Sequence, residues 1–217
     1  MVIEKENNPM LKQALATGIK ELNLQIPEEK QDALLAYIAL LNRWNKAFNL
    51  TAVRDQAEMI PRHLLDSLSV SAYLQGKRVL DVGTGPGLPG IPLAIVHPDI
   101  QFTLLDSNGK KIRFVRQAAL ELGLQNVQAE QVRVEAYKPS HLFDTVVTRA
   151  FAAMSEILEL TSHLLSPNGQ LLAMKSRQTQ DELDASDLEG RSIEVITLQV
   201  PQLEGERYAV LIKNSGE

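Results

Sequence analysis

Four glycines fall within eight residues of this chain, directly after a short apolar run that ends in an acid: Val79-Leu80-Asp81-Val82-Gly83-Thr84-Gly85-Pro86-Gly87-Leu88-Pro89-Gly90. Two prolines inside the group restrict the loop to one shape. Apolar residues resume at Ile91 and continue through Leu93, Ala94, Ile95 and Val96, so a helix opens out of the loop. A strand, a glycine turn and a helix N-terminus together let backbone approach a bound nucleotide closely. The stretch therefore predicts a site for a nucleotide-type cofactor.

The glycines fit two registers. Gly85-Pro-Gly87-Leu-Pro-Gly90 satisfies G-x-G-x-x-G, the dinucleotide fingerprint, and would suit an NAD-dependent oxidoreductase. Asp81-Val-Gly83-Thr-Gly85-Pro-Gly87 satisfies D-x-G-x-G-x-G, the pattern of S-adenosylmethionine (AdoMet) methyltransferases. In the second register the first glycine sits one residue beyond the strand, and Asp81 stands where the ammonium of a methionine could be held. The first register puts a proline in the tight turn and leaves two glycines spare. The AdoMet register is the better fit, with Gly83, Gly85 and Gly87 at the cofactor and Gly90 serving helix packing.

The order of elements leads the same way. Leu11, Leu15, Ile19 and Leu22 form a helical stripe in the first 26 residues, and Pro27-Glu28-Glu29 opens a second amphipathic helix that Asn42-Arg43-Trp44-Asn45 closes. A third helix is expected over residues 56–74, interrupted or started by Pro61. Trp44 reads as core packing and His63 as a packed residue rather than a catalyst. From Lys77 the pattern changes to strands at 78–82, 101–105, 127–131, 145–148 and 170–174. Helices are expected at 91–96, 110–122 and 154–165, with an irregular link at 135–141. Two more strands, 193–200 and 208–213, follow with no good helix between them; the acidic 181–194 stretch reads as a solvated helix or loop. Parallel winding needs a helix before every strand, so the last pair predicts a closing hairpin with one antiparallel strand. The expected architecture is α/β: a Rossmann-like class I AdoMet-dependent methyltransferase domain at 77–217, its seven-stranded sheet mostly parallel, behind an N-terminal helical extension at 1–76.

Composition excludes several classes. The chain has no cysteine, which removes disulfides, thiolate zinc sites and cysteine nucleophiles and suits a cytoplasmic address. No apolar run approaches the roughly 20 residues of a membrane span, and the first residues have no apolar stretch of the signal-peptide kind. His97, His141 and His163 show no ligand spacing, so no metal is expected. The net charge of −5 is unevenly spread: residues 1–76 hold 8 bases and 9 acids, 77–176 hold 10 and 9, and 177–217 hold 4 and 9. The tail supplies the deficit, leaving room for a basic patch on the central region, and phosphate binding answers to that local field.

Around the loop, the second strand ends in Leu104-Leu105-Asp106, nineteen residues after Gly87. An acid there can accept from both ribose hydroxyls, although Asp106 could instead cap the next helix. Arg133-Val134-Glu135 follows the third strand, where an acid and backbone amides can read adenine. The fourth strand ends at Arg149, in place of the Asn-Pro-Pro-Tyr that holds an exocyclic amine, which disfavours adenine-N6 chemistry. Without cysteine, pyrimidine-C5 chemistry through a thiol adduct is excluded. Lys110, Lys111, Arg113 and Arg116 lie on the helix after Asp106, and Arg62, Arg149, Lys175 and Arg177 join the rim if the strand ends converge.

On these residues the chain resembles the bacterial glucose-inhibited division protein B (RsmG) family, the small-subunit rRNA guanine-N7 methyltransferases. The matching segments are Leu41-Asn-Arg-Trp-Asn-Lys-Ala-Phe-Asn-Leu-Thr51, Arg62-His-Leu-Leu-Asp-Ser67, Val82-Gly-Thr-Gly-Pro-Gly-Leu-Pro-Gly-Ile-Pro92 and Leu104-Leu-Asp-Ser107, with Arg133-Val-Glu135, Arg149-Ala-Phe151 and Leu203-Glu-Gly-Glu-Arg207 further on. Lys175-Ser176 departs from the family's more usual Lys-Gly. The resemblance implies methyl transfer from AdoMet to N7 of guanine 527 in 16S rRNA of the small ribosomal subunit. It carries over Gly83, Leu88, Val134, Glu135 and Arg149 as cofactor positions. Arg149 and Lys175 are expected to position phosphate or guanine O6, with Arg62, Arg133 and Arg207 as RNA contacts. Alternatives are a methyltransferase acting on another RNA or a non-RNA substrate, the NAD-dependent oxidoreductase, and a non-catalytic RNA-binding domain.

Overall fold

A computed structural model of the chain describes residues 8–149, 154–176 and 190–214. Arg177 and residues 181–189 of the acidic stretch lie outside the described residues. A seven-stranded sheet in the order β3-β2-β1-β4-β5-β7-β6 organises them. Its strands are β1 (Arg78–Val82), β2 (Gln101–Asp106), β3 (Val127–Gln131), β4 (Phe143–Arg149), β5 (Leu165–Lys175), β6 (Arg191–Leu198) and β7 (Arg207–Asn214). The first five run parallel, while β7 inserts between β5 and β6 antiparallel to both. That is the hairpin expected from the missing helix.

Along β1, β4, β5 and β7 buried side chains alternate between the two faces of the sheet. Val79, Val147, Leu172 and Leu211 enter one core, and their neighbours Leu80, Val146, Leu171 and Val210 enter the other. The helices on the first face are α1 (Pro9–Glu21), α2 (Glu28–Phe48), the short α3 (Gln56–Met59) and α4 (Asp66–Leu68), α5 (Gly90–Val96) and α6 (Gly109–Glu121). The last helix, α7 (Met154–Thr161), covers the second face. Tyr37 of α2 sits 6.2 Å from the Phe114 ring of α6, and Trp44 meets the same ring edge-on at 5.6 Å. Trp44 is thus core packing, and the buried apolar surface runs unbroken from the leading helices into the sheet.

Two expectations about the helices need correction. Helix α2 does not close at Asn45 but runs to Phe48, because Asn49 in the left-handed conformation (φ 51°) ends it there. Residues 56–74 are not one helix. A single turn, α3 (Gln56–Met59), passes into a π-helical turn at Ile60–Leu65, then α4 and a 3₁₀ turn at Ser71–Tyr73. Pro61 has no N–H to give to the preceding turn, so the backbone widens around it.

Candidate active site

The glycine loop is held from three sides. Gly83 and Thr84 donate their N–H groups to the Leu105 carbonyl at 2.8 and 3.0 Å, tying the end of β1 to the end of β2. Gly83, Gly85 and Gly87 have φ of 69°, 60° and 96°, where a side chain would be strained. Asp81 accepts from Thr84 Oγ1 at 2.6 Å and from Gly90 N–H at 2.9 Å, both on Oδ2. Its carboxyl is fully buried, and burial raises its pKa to about 6 against the pull of those two donors. Asp81, expected beside an ammonium group, thus fastens the loop from inside through Oδ2. From the helical side, Tyr37 donates its hydroxyl to the Pro86 carbonyl at 2.9 Å.

A cavity of about 370 Å³ opens at the C-terminal ends of β1 and β2. Val82, Gly83, Asp106, Lys111, Arg133, Val134 and Glu135 line it, with Glu156 and Leu160 of α7 opposite. Asp106 is almost buried; its Oδ2 accepts from Gly85 N–H at 3.0 Å and its Oδ1 from Asn108 N–H at 2.8 Å. Lys111 stands 3.5 Å from Oδ2. The helix cap of α6 is Asn108, which accepts from Lys110 N–H, so Asp106 is spared that task. A Cβ added to Gly85 would meet nothing nearer than the Gly83 carbonyl at 4.0 Å, whereas one on Gly90 would collide with Leu104 and stand 2.7 Å from Asp81 Oδ2. Gly85 borders open space and Gly90 is a packing glycine.

A second cavity, of about 320 Å³, lies at the ends of β4, β5 and β7. Arg62, His63, Asp66, Arg149, Lys175 and Arg207 line it, with Ser176 and Tyr208. Arg149 Nη1 reaches Asp66 Oδ2 at 3.0 Å and the Arg62 carbonyl at 3.2 Å. Arg207 Nε lies 3.4 Å from Asp66 Oδ1. His63 shares a 2.9 Å hydrogen bond between Nε2 and Thr51 Oγ1; burial foremost, then the Arg149 charge, lowers its pKa to about 4, so the ring is neutral at pH 7.

The expected site residues divide between these hollows. Gly83, Asp106, Val134 and Glu135 meet in the first, and Arg133, expected at RNA, joins them there. Arg149, expected partly at the cofactor, lies with Lys175, Arg62 and Arg207 in the second. Leu88 lines neither; it is buried and gives its N–H to the Thr84 carbonyl. Gly87 presses on Ile91, where a Cβ would come within 2.5 Å of Cγ1. The basic run of α6 does not join the Arg149 cluster: Lys110, Arg113 and Arg116 line a separate hollow, and Arg116 is bonded to the Ala129 carbonyl. Sequence reasoning gave no role to Asp66, Tyr37 or Glu156. The available signal for Asp66 was an acid set among Leu64, Leu65 and Leu68 on an otherwise apolar turn.

The family model for rRNA small subunit methyltransferase G, GidB, matches residues 30–210. The chain belongs to the GidB family. It is 52% identical over 195 residues to the ribosomal RNA small subunit methyltransferase G of Psychromonas ingrahamii, covering 90% of this chain and 94% of that protein. The Salmonella arizonae protein of the same name is 51% identical, covering 93% of this chain and 97% of its own. Among solved structures, the N-methyltransferase NodS of Bradyrhizobium japonicum, in complex with S-adenosyl-L-homocysteine, superposes with a TM-score of 0.57 at 14% identity. It covers 83% of this chain and 98% of NodS, a likeness of fold. The GidB chain thus has the Rossmann-like class I methyltransferase fold, with β7 as its antiparallel strand. Among the described residues no cluster of three or more His, Asp or Glu could hold a metal ion, and no helix is long and apolar enough to cross a membrane.

Proposed function

We propose that the chain transfers the methyl group of AdoMet to N7 of guanine 527 in 16S rRNA of the small ribosomal subunit, in the cytoplasm. The observation that carries the reading is the pair of hollows at the strand ends, one lined by Gly83, Asp106 and Glu135 and one by Arg62, Arg149 and Arg207. The first fits AdoMet: Gly85 leaves open the space a Cβ would fill, and each Asp106 oxygen keeps a lone pair for a ribose hydroxyl after accepting its backbone N–H. Gly83, Gly85 and Gly87 would cradle the cofactor, Asp106 its ribose, and Val134 and Glu135 its adenine. When bound, AdoMet supplies an electrophilic methyl on a sulfonium.

Guanine N7 has an in-plane lone pair and no proton, so the chain need supply no strong base, in keeping with a His63 that burial makes a weak one. Its task is to place N7 in line, and proximity alone can supply a large share of a rate enhancement. Arg149 and Lys175 would hold phosphate or guanine O6, with Arg62 and Arg207 as further RNA contacts. The helical extension at 1–76 would serve the methyltransferase domain at 77–217 as part of its substrate side. Labelled methyl transfer from AdoMet to small subunits lacking the modification, with mapping of the labelled base, tests the proposal. Label at another base refutes the assignment of the nucleotide, and label on no RNA refutes the RNA substrate. Unchanged turnover in both Arg149→Ala and Lys175→Ala would refute the positioning roles.

A further inference from the structure

Among the described residues that line the second cavity, Asp66 is the single acid. A carboxylate in a basic hollow should weaken its hold on an anion, yet this one faces two arginines rather than solvent. Its side chain is only 7% exposed, against 22% for Arg149 and 24% for Arg207. Arg149 ends β4 and Arg207 begins β7, with β5 between them in the sheet. Strands two places apart lie about 10 Å from each other, so the sheet alone would leave these two guanidiniums apart and mutually repelling. Asp66 reaches both, Nη1 of one at 3.0 Å and Nε of the other at 3.4 Å, the second contact too poorly aligned to count as a hydrogen bond. The π-helical turn directly before Asp66 adds the Arg62 carbonyl, which takes a further hydrogen bond from Arg149.

We infer that Asp66 is a positioning residue that fixes Arg149 and Arg207 as a two-armed clamp for one phosphodiester group of the RNA, an inference resting on the function proposed above. Arg149 gives Asp66 one N–H from Nη1, and Arg207 sets Nε against it while its Nη1 donates to the Glu206 carbonyl at 2.8 Å; an Arg fork presents its remaining N–H groups in a fixed plane suited to phosphate oxygens. Buried ion pairs seldom add net stability but do set register, and here the register set is that of two cations. His63, neutral beside them, adds no charge of its own.

Binding of a labelled single-stranded RNA oligonucleotide to the full chain, followed against salt, tests the clamp. Each lost phosphate contact lowers the slope of log K against log salt by about 0.7 for single strands. Asp66→Asn makes the protein more positive, so a purely electrostatic role predicts tighter binding and a slope unchanged or steeper. The clamp predicts the reverse: several-fold weaker binding and a slope lower by about 0.7. The double variant Asp66→Asn/Arg207→Ala should lose no more slope than Arg207→Ala alone, since Asp66 acts through its arginines; additive losses overturn the inference. A role in stability alone would reduce the active fraction without moving the slope. Should Asp66→Asn not fold, Arg207→Ala decides, because it leaves Asp66 paired with Arg149: an unchanged slope overturns the clamp. A parent protein that binds the RNA but transfers no methyl group refutes the proposed function and leaves the clamp standing, whereas one that binds no RNA refutes the clamp.

Discussion

Replacing Tyr37 with Phe isolates the bond between the leading helices and the glycine loop. The ring keeps its volume and its contact with Phe114 at 6.2 Å, and only the hydroxyl that donates to the Pro86 carbonyl is lost. Tyr37 is fully buried and Pro86 is buried with it, so no bulk water stands ready to replace the donor. Leaving a buried acceptor unpaired costs about 1–3 kcal/mol. For a chain of this length each kcal/mol moves the melting temperature by roughly 2–4 °C, so Tyr37→Phe should melt roughly 2–12 °C below the parent.

The same free energy bounds the effect on cofactor binding. If the bond holds the loop in its binding shape, S-adenosyl-L-homocysteine affinity in calorimetric titration should fall by between about fivefold and about 150-fold. A lower melting temperature with unchanged affinity would refute the coupling and leave the loop to be shaped by Asp81 and the Leu105 carbonyl alone. No change in either quantity would refute the premise that the Pro86 carbonyl lacks a second donor.

Gly85, inside the loop, and Gly90, at its end, should respond in opposite ways. Gly90→Ala drives a methyl into Leu104 and crowds Asp81 Oδ2, and should destabilise the fold by about 1–3 kcal/mol in denaturant titration. Gly85→Ala meets open space, so beyond a left-handed strain of about 1–2 kcal/mol it should show its main effect as lost cofactor binding. Asp106→Ala removes a carboxylate bonded to two backbone amides and the proposed ribose acceptor; at about 1.5–3 kcal/mol for such a charged bond, affinity should drop roughly 10- to 150-fold by the same titration. Asp81 has a folded pKa of about 6 against an ordinary 3.8, so its stabilising contribution is full below pH 3.8 and is lost as pH rises through 6. The stability advantage of the parent over Asp81→Asn should therefore shrink by about 2 kcal/mol between pH 4 and pH 8, and a pH-independent difference would exclude a raised pKa.

What could be read from the sequence had local causes. The strands of the sheet show themselves as short segments alternating with helices after Lys77, and the closing pair through the missing helix between 193–200 and 208–213. Gly83, Asp106 and Glu135 could be placed because the first follows β1 directly, the second ends β2 and the third lies four residues past β3, and in a parallel sheet all such ends open on one edge. The break in the third helix was less legible: apolar spacing does not distinguish a turn closed at four residues from one closed at five, and only Pro61 marked the place. The direction of the Leu88 side chain was not legible, because a position in a motif does not say which way a side chain faces, and here it faces the core.

The interactions that join the parts had no local signal at all. Asp66 meets Arg149 across 83 positions of sequence, and Tyr37 meets Pro86 across 49. Both originate in the helical segment before Lys77 and both end in the site, one in each hollow's supporting wall. The change of pattern at residue 77 is therefore a change of secondary structure rather than a break in the core, since Leu34, Ile38 and Leu65 share one buried cluster with Val79, Phe102 and Leu172. Helices that only covered an apolar face would need no polar contact beyond it. These send a hydroxyl to the glycine loop and a carboxylate to two arginines, which makes them part of the machinery that shapes both hollows.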